Sequence, residues 1–297
     1  ADGGPGGRAV LRPDRFIHAP GPDTRAVKRR GAAAGFDEAS DRRGTVNTGA
    51  TAPDGLFIRE ISVKAGADGG YAMELPAVRR LGKLVLTAPV TFFVGENGSG
   101  KSTILEAIAI ACGFNPEGGT RNFCFKTSDS HASLWQALHI VRGARRPGDG
   151  FFLRAESFYN VATKIDELDR ETPLGPRLID SYGGRSMHAQ SHGESFLSLV
   201  VNRFGGQGLY LLDEPEAALS VTGQLALLAR LRILVQNGSQ FIIASHSPVL
   251  TAYPDAAIYQ FSHAGVERVS YSDTDAYVLT RQFLNNPGQM LRELFEE

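Results

Sequence analysis

Only two cysteines occur in the 297 residues, Cys112 and Cys124. That excludes a disulfide framework and suits a reducing compartment. An excess of charge of either sign is also missing: 31 Lys and Arg stand against 32 Asp and Glu. No global field therefore draws the chain to nucleic acid or to an anionic membrane. Long hydrophobic runs are absent too. The longest, such as residues 84–94, fall far short of the roughly 20 apolar residues that a spanning helix needs. The first residues carry no apolar signal core. The expectation is a soluble, cytoplasmic protein with no transmembrane segment of its own.

What is present is enough for a substantial core, since 42% of residues are hydrophobic. Residues 1–55 are rich in Gly, Ala, Pro and Arg without an apolar period, which predicts a disordered tail. From residue 56 the pattern becomes globular. LFIREISVKA, LVLT, VTFFV, GFFLRAE, GLYLLDE and QFIIAS read as strands. KSTILEAIAIACG, SHASLWQALHIVRG (capped by Ser130), SFYNVATKIDEL, ESFLSLVVNRF and SVTGQLALLARLRILVQ read as helices, and AIYQFSHAGVERVSY as a hairpin turning at residues 264–265. Buried apolar strands alternating with helices predict an α/β domain over residues 56–297, its mostly parallel sheet covered on both faces.

The chemistry begins at Gly95-Glu96-Asn97-Gly98-Ser99-Gly100-Lys101-Ser102-Thr103, between a strand and a helix. Glycines there let backbone N–H groups converge on phosphate oxygens, and the following helix adds its positive N-terminal end. Lys101 would reach the β- and γ-phosphates of a nucleotide, and the Ser102 hydroxyl would ligate Mg²⁺.

Two further apolar strands end in polar clusters. LYLLDEPEAALS delivers Asp213, placed to hold Mg²⁺, and Glu214, able to polarise an attacking water. QFIIASHSPVL delivers His246, which can hydrogen-bond a γ-phosphate and the attacking water. A fourth cluster, QSHGESF, opens a helix. Ser191 can cap it, and a glycine-containing helix entry is also an anion site. If that entry faces a partner's nucleotide, two subunits close over two ATP molecules.

These motifs, in this order over residues 95–246, resemble the ATP-binding cassette superfamily. Within it the chain looks like stand-alone bacterial AAA-type ATPases grouped near RecF, SMC and the double-strand-break-repair ATPases. The resemblance implies a P-loop NTPase core with an antiparallel β portion and a small helical subdomain at about residues 157–195. It implies Asn97 to Ser102 on the phosphates, Asp213 on Mg²⁺, Glu214 as catalytic base and His246 as γ-phosphate sensor. Ser191, Gly193 and Glu194 form the signature-like turn, and it would contact the partner's nucleotide in a head-to-tail homodimer. Three positions depart from the pattern. Ser220 replaces an Asp of the inter-subunit loop, SHGES replaces the transporter-like signature, and Glu156 stands where a Gln is usual, as a candidate for Mg²⁺ or water. For the aromatic that stacks on adenine, Tyr71 is the best-spaced candidate and Phe57 the alternative.

The expectation is an ATP hydrolase whose dimer closes on Mg·ATP and opens after hydrolysis. A transporter cassette is the alternative. Arg142, Arg145, Arg146 and the basic tail leave nucleic acid, or a partner protein, open as a further ligand.

Overall fold

The computed structural model describes residues 55–297 except 65, 68–69, 122–132, 172–176, 185 and 296–297. The tail expected over residues 1–55 thus lies, but for Gly55, outside the described residues, as does Ser130.

Nine strands are described: β1 (Ile58–Val63), β2 (Lys83–Val85), β3 (Val90–Gly95), β4 (Leu138–Arg142), β5 (Asp149–Arg154), β6 (Gly208–Asp213), β7 (Gln240–Ala244), β8 (Ala257–Ser262) and β9 (Gly265–Val269). Helices intervene: α1 (Pro76–Arg79), α2 (Lys101–Ala111), α3 (Leu134–Ala137), α4 (Phe158–Glu171), α5 (His192–Arg203), α6 (Val221–Gln236), α7 (Asp275–Asn285) and α8 (Pro287–Phe295).

The main sheet has the order β5-β6-β7-β3-β8-β9, parallel except for the final antiparallel hairpin. Its inner strands are buried along their length because both faces are covered. Successive side chains point to opposite faces, and this alternation divides the core in two. Phe93, Leu209, Leu211 and Ile242 meet Ile104, Leu105 and Ile108 of α2 together with Ile58, Ile61 and Leu84 of a second, three-stranded antiparallel sheet of order β2-β1-β4. Phe92, Tyr210, Leu212 and Ile243 meet Phe158 and Ile165 of α4, Phe196 and Leu199 of α5, and Leu227 and Leu231 of α6. The two sheets are tied by the buried Gln240 side chain. Its Oε1 accepts from the Phe57 and Ile58 N–H groups at 2.8 and 2.9 Å, and its Nε2 donates to the Ile58 carbonyl at 2.8 Å.

The helix expected over residues 130–143 is replaced by the short α3 and then β4. Ile140 and Val141 pair with Ile61 and Glu60 of β1, so edge pairing to an existing strand overrides the local helical pattern. The expected limit of the helical subdomain, near residue 195, falls inside α5, whose Phe196, Leu199 and Val200 belong to the core beneath the sheet. Among the described residues no helix is long and apolar enough to cross a membrane.

Candidate functional site

The carboxyl ends of β3, β5, β6 and β7 gather the functional side chains at one edge of the sheet, where open α/β sheets take their ligands. β3 lies between β7 and β8, so the loop after it is held by strands on both sides. Gly95 ends β3 with φ 138°, and a Cβ there would stand 2.2 Å from the Phe261 carbonyl oxygen. Only glycine fits that approach. Gly100, at φ 98°, turns the chain into α2 as its N-cap. Glu96, Asn97 and Gly98 stand exposed above that helix start, with Ser99 and Thr103 half-buried beside it.

Lys101 is buried, and its ammonium curls back into the loop. It donates to the Gly95 and Glu96 carbonyls at 2.9 and 2.8 Å, with Ser99 Oγ at 3.5 Å. Burial draws its pKa below the ordinary lysine value, against the opposing pull of Glu214 and Asp213. A cation so enclosed gains from a phosphate counter-charge.

Ser102 Oγ donates to Asp213 Oδ1 at 2.8 Å. Asp213, the last residue of β6, is itself buried. Burial pushes its carboxyl up to about 6, while Ser102 and Arg154 pull the other way. A hydroxyl and a carboxylate side by side are the hard oxygen donors that suit Mg²⁺, which keeps few protein ligands and completes its shell with phosphates and water. Among the described residues no group of three or more His, Cys, Asp and Glu is arranged to hold a metal without such help.

Glu214 follows in the left-handed region, at φ 50° and ψ 50°. For a residue with a Cβ this conformation costs about 1–2 kcal/mol. Its N–H donates to the Ala244 carbonyl at 3.0 Å, which holds the turn against β7. The turn brings Oε1 to 3.3 Å from Nε2 of His246, just past the end of β7. The His246 N–H is in turn held by the Glu216 carboxylate.

The remaining sequence candidates fall into two groups. Glu156 joins the site: with Ser102, Arg154, His192, Asp213 and Glu214 it lines a cavity of about 290 Å³. Tyr71 lies on a 3₁₀ turn, 77% exposed. The alternative aromatic, Phe57, is a core residue at 3% exposure.

Ser191 caps α5 in a reciprocal box: the Glu194 N–H donates to Ser191 Oγ at 3.4 Å, and Glu194 Oε2 accepts from the Ser191 N–H at 3.1 Å. The Ser191 hydroxyl and N–H hold the Glu194 carboxyl below its usual range. A Cβ on Gly193 would lie 3.2 Å from the Ala218 carbonyl, so the turn leans on the loop after Glu214. Through His192 it reaches this chain's own cavity.

Sequence reasoning missed Arg154 and Glu106. Arg154 Nη1 donates to Glu106 Oε2 at 2.7 Å, and its Nε lies 3.5 Å from Asp213 Oδ2. The signal was present in GFFLRAE, where a cation precedes Glu156 at the mouth of a strand.

Sequence comparison agrees with this geometry. A family described as an AAA domain matches residues 80–143, a span that contains the loop. The cobalt import ATP-binding protein CbiO of Salmonella typhimurium is 28% identical over 195 residues, covering 62% of this chain and 71% of the relative. The vitamin B12 import ATP-binding protein BtuD of Escherichia coli O139:H28 is 29% identical over 182 residues, covering 56% and 71%. These matches, together with the loop, support an ATP-hydrolysing P-loop enzyme. Of solved structures, cbiO1 from Clostridium perfringens aligns to this chain with a TM-score of 0.41 at 15% identity, covering 80% of this chain and 99% of that one. The SMC head domain from Thermotoga maritima aligns with a TM-score of 0.35 at 15% identity, covering 72% and 100%.

Proposed function

We propose that this ATPase is a Mg²⁺-dependent switch in which two copies close head to tail on ATP and separate after hydrolysis. The observation that carries the hydrolytic half is the convergence of Ser102, Asp213, Glu214 and His246 on one sheet edge, beside the glycine loop and Lys101. In this reading the main-chain amides of residues 95–102 and the Lys101 ammonium bind the β- and γ-phosphates. Ser102 and Asp213 hold the metal, which when bound neutralises charge developing on the phosphates. Glu214 takes the proton of the attacking water, and His246 orients that water and the γ-phosphate. Glu156 faces the same cavity and Tyr71 offers an open ring for the adenine. The domain is taken as residues 56–297, with α4 and the turns that follow it as a helical subdomain, and its place of work as the cytoplasm.

The closing half rests on the exposed Ser191–Glu194 turn, which sets the N-terminal end of α5 at the surface, where a second copy could reach it. A different observation favours a site completed within one chain: His192 lines this chain's own cavity. The Glu214→Gln protein separates the two. On adding ATP and Mg²⁺, mass measurement by light scattering is expected to give a dimer that falls apart when nucleotide is removed. A monomer with nucleotide bound would favour the single-chain site.

Work on DNA repair or defence is one use for such a switch. Supplying an importer is the second reading, supported by the names of CbiO and BtuD. Stable co-purification with a membrane subunit would favour the latter. ATPase stimulation by DNA that fades with salt would favour the former.

A further inference from the structure

Four acids, Asp213, Glu214, Glu156 and Glu106, stand around Ser102 and the cavity mouth. Lys101 gives two of its three donors to loop carbonyls. The cation that meets the acids is Arg154. It ends β5 in direct register with Asp213 on the neighbouring parallel strand, so both side chains leave the sheet on the same face. Nη1 donates to Glu106 Oε2 at 2.7 Å and to the Pro116 carbonyl at 3.4 Å. Nη2 lies 3.8 Å from the largely exposed Glu156 carboxylate. Nε stands 3.5 Å from Oδ2 of Asp213, the oxygen that Ser102 does not use.

The two Asp213 oxygens are thus divided, one toward the Ser102 hydroxyl and one toward a guanidinium anchored on α2 through Glu106. Glu106 and Asp213 are both largely buried, so losing the guanidinium would leave two acids with little solvent to replace it. We propose that Arg154 is a positioning residue of the metal site: pinned by Glu106, it fixes the carboxylate of Asp213 so that Oδ1 is presented beside Ser102 for a divalent cation. The proposal rests on the reading of Ser102 and Asp213 as metal ligands and adds a chain of control, from Glu106 to Arg154 to Asp213. It uses the planar fork, because Nη1 is hydrogen-bonded to Glu106 while the buried Nε, which has no hydrogen-bond partner of its own, stands in ion-pair range of Asp213 in a different direction. A lysine supplies charge but one point of contact.

The test is a Mg²⁺ titration of the binding of a fluorescent ATP analogue, read without turnover. Groups that orient metal ligands typically change metal affinity by about 10–100-fold when removed. Arg154→Gln is therefore expected to raise the half-saturating Mg²⁺ at least about tenfold, with Arg154→Lys recovering only a small part. Glu106→Gln, which leaves Asp213 and Arg154 in place, is expected to shift it the same way by about threefold or more, and carries the test if the Arg154 variants do not fold. An unchanged Mg²⁺ requirement in folded variants would overturn the proposal while leaving the ATP site intact. A lowered requirement would overturn it too, making Arg154 a competitor of the metal. Wild-type binding indifferent to Mg²⁺ would overturn the metal site and the proposal together.

Discussion

Nε2 of His246 stands 3.3 Å from Oε1 of Glu214, across the ends of two neighbouring strands. The contact exists because Glu214 occupies a left-handed conformation, which turns its side chain from the line of β6 toward β7. Strain of this kind persists where surrounding structure enforces it. Here the Glu214 N–H on Ala244 and the His246 N–H on Glu216 are the enforcing bonds.

If the imidazole orients the water that Glu214 deprotonates, His246→Ala loses turnover and keeps affinity. Phosphate release is expected to fall about a hundredfold, while binding of a fluorescent ATP analogue changes by less than about threefold. A parallel loss of binding would make His246 a ligand for the ground-state nucleotide alone.

Two glycines of the loop should respond differently to alanine. Gly95→Ala places a Cβ against the Phe261 carbonyl oxygen at 2.2 Å, with φ 138°, and is expected to cost at least about 3 kcal/mol in urea unfolding. Gly98→Ala meets no atom within 4 Å. Its cost is limited to the positive φ of 77°, about 1 kcal/mol. Equal costs would mean that the approach of Phe261 is not what demands glycine.

At the opposite edge of the sheet, Asp149 accepts from the Tyr210 hydroxyl at 2.8 Å, from Arg203 Nη1 at 2.9 Å and from the Gly205 N–H at 3.2 Å. Burial alone would raise its carboxyl, but these partners more than offset it and hold the pKa below the usual 3.8. A depressed folded pKa gives stability that is present above the unfolded value and is lost as pH falls through the folded one. The stability advantage of wild type over Asp149→Asn is therefore expected to hold from pH 7 to about 5 and to shrink below about 4. Urea midpoints across that range check it. An advantage that grows on acidification would reverse the assignment.

Much of this was legible in the sequence because the two signals are strong. Apolar runs such as GLYLLD and QFIIA are buried from end to end, and each empties into its polar cluster at the same edge. Strand–glycine loop–helix fixed the place of Lys101 and Ser102. What escaped depended on neighbours far along the chain. Residues 138–142 look helical until β1 offers them an edge. Nothing near Phe57 in sequence tells that its N–H will be held by Gln240 and its ring set in the core. Arg154 looks like an ordinary surface cation until β5 is set in register with β6, beside an acid 48 residues away on α2.

The most direct measurement is calorimetric ATP binding by Lys101→Ala, with circular dichroism to establish that the variant is folded. A folded protein whose ATP affinity has dropped at least about a hundredfold is the expected result, since a buried charged contact to phosphate is lost. A folded variant that binds ATP as tightly as wild type would contradict the placement of the triphosphate on the loop from Gly95 to Ser102.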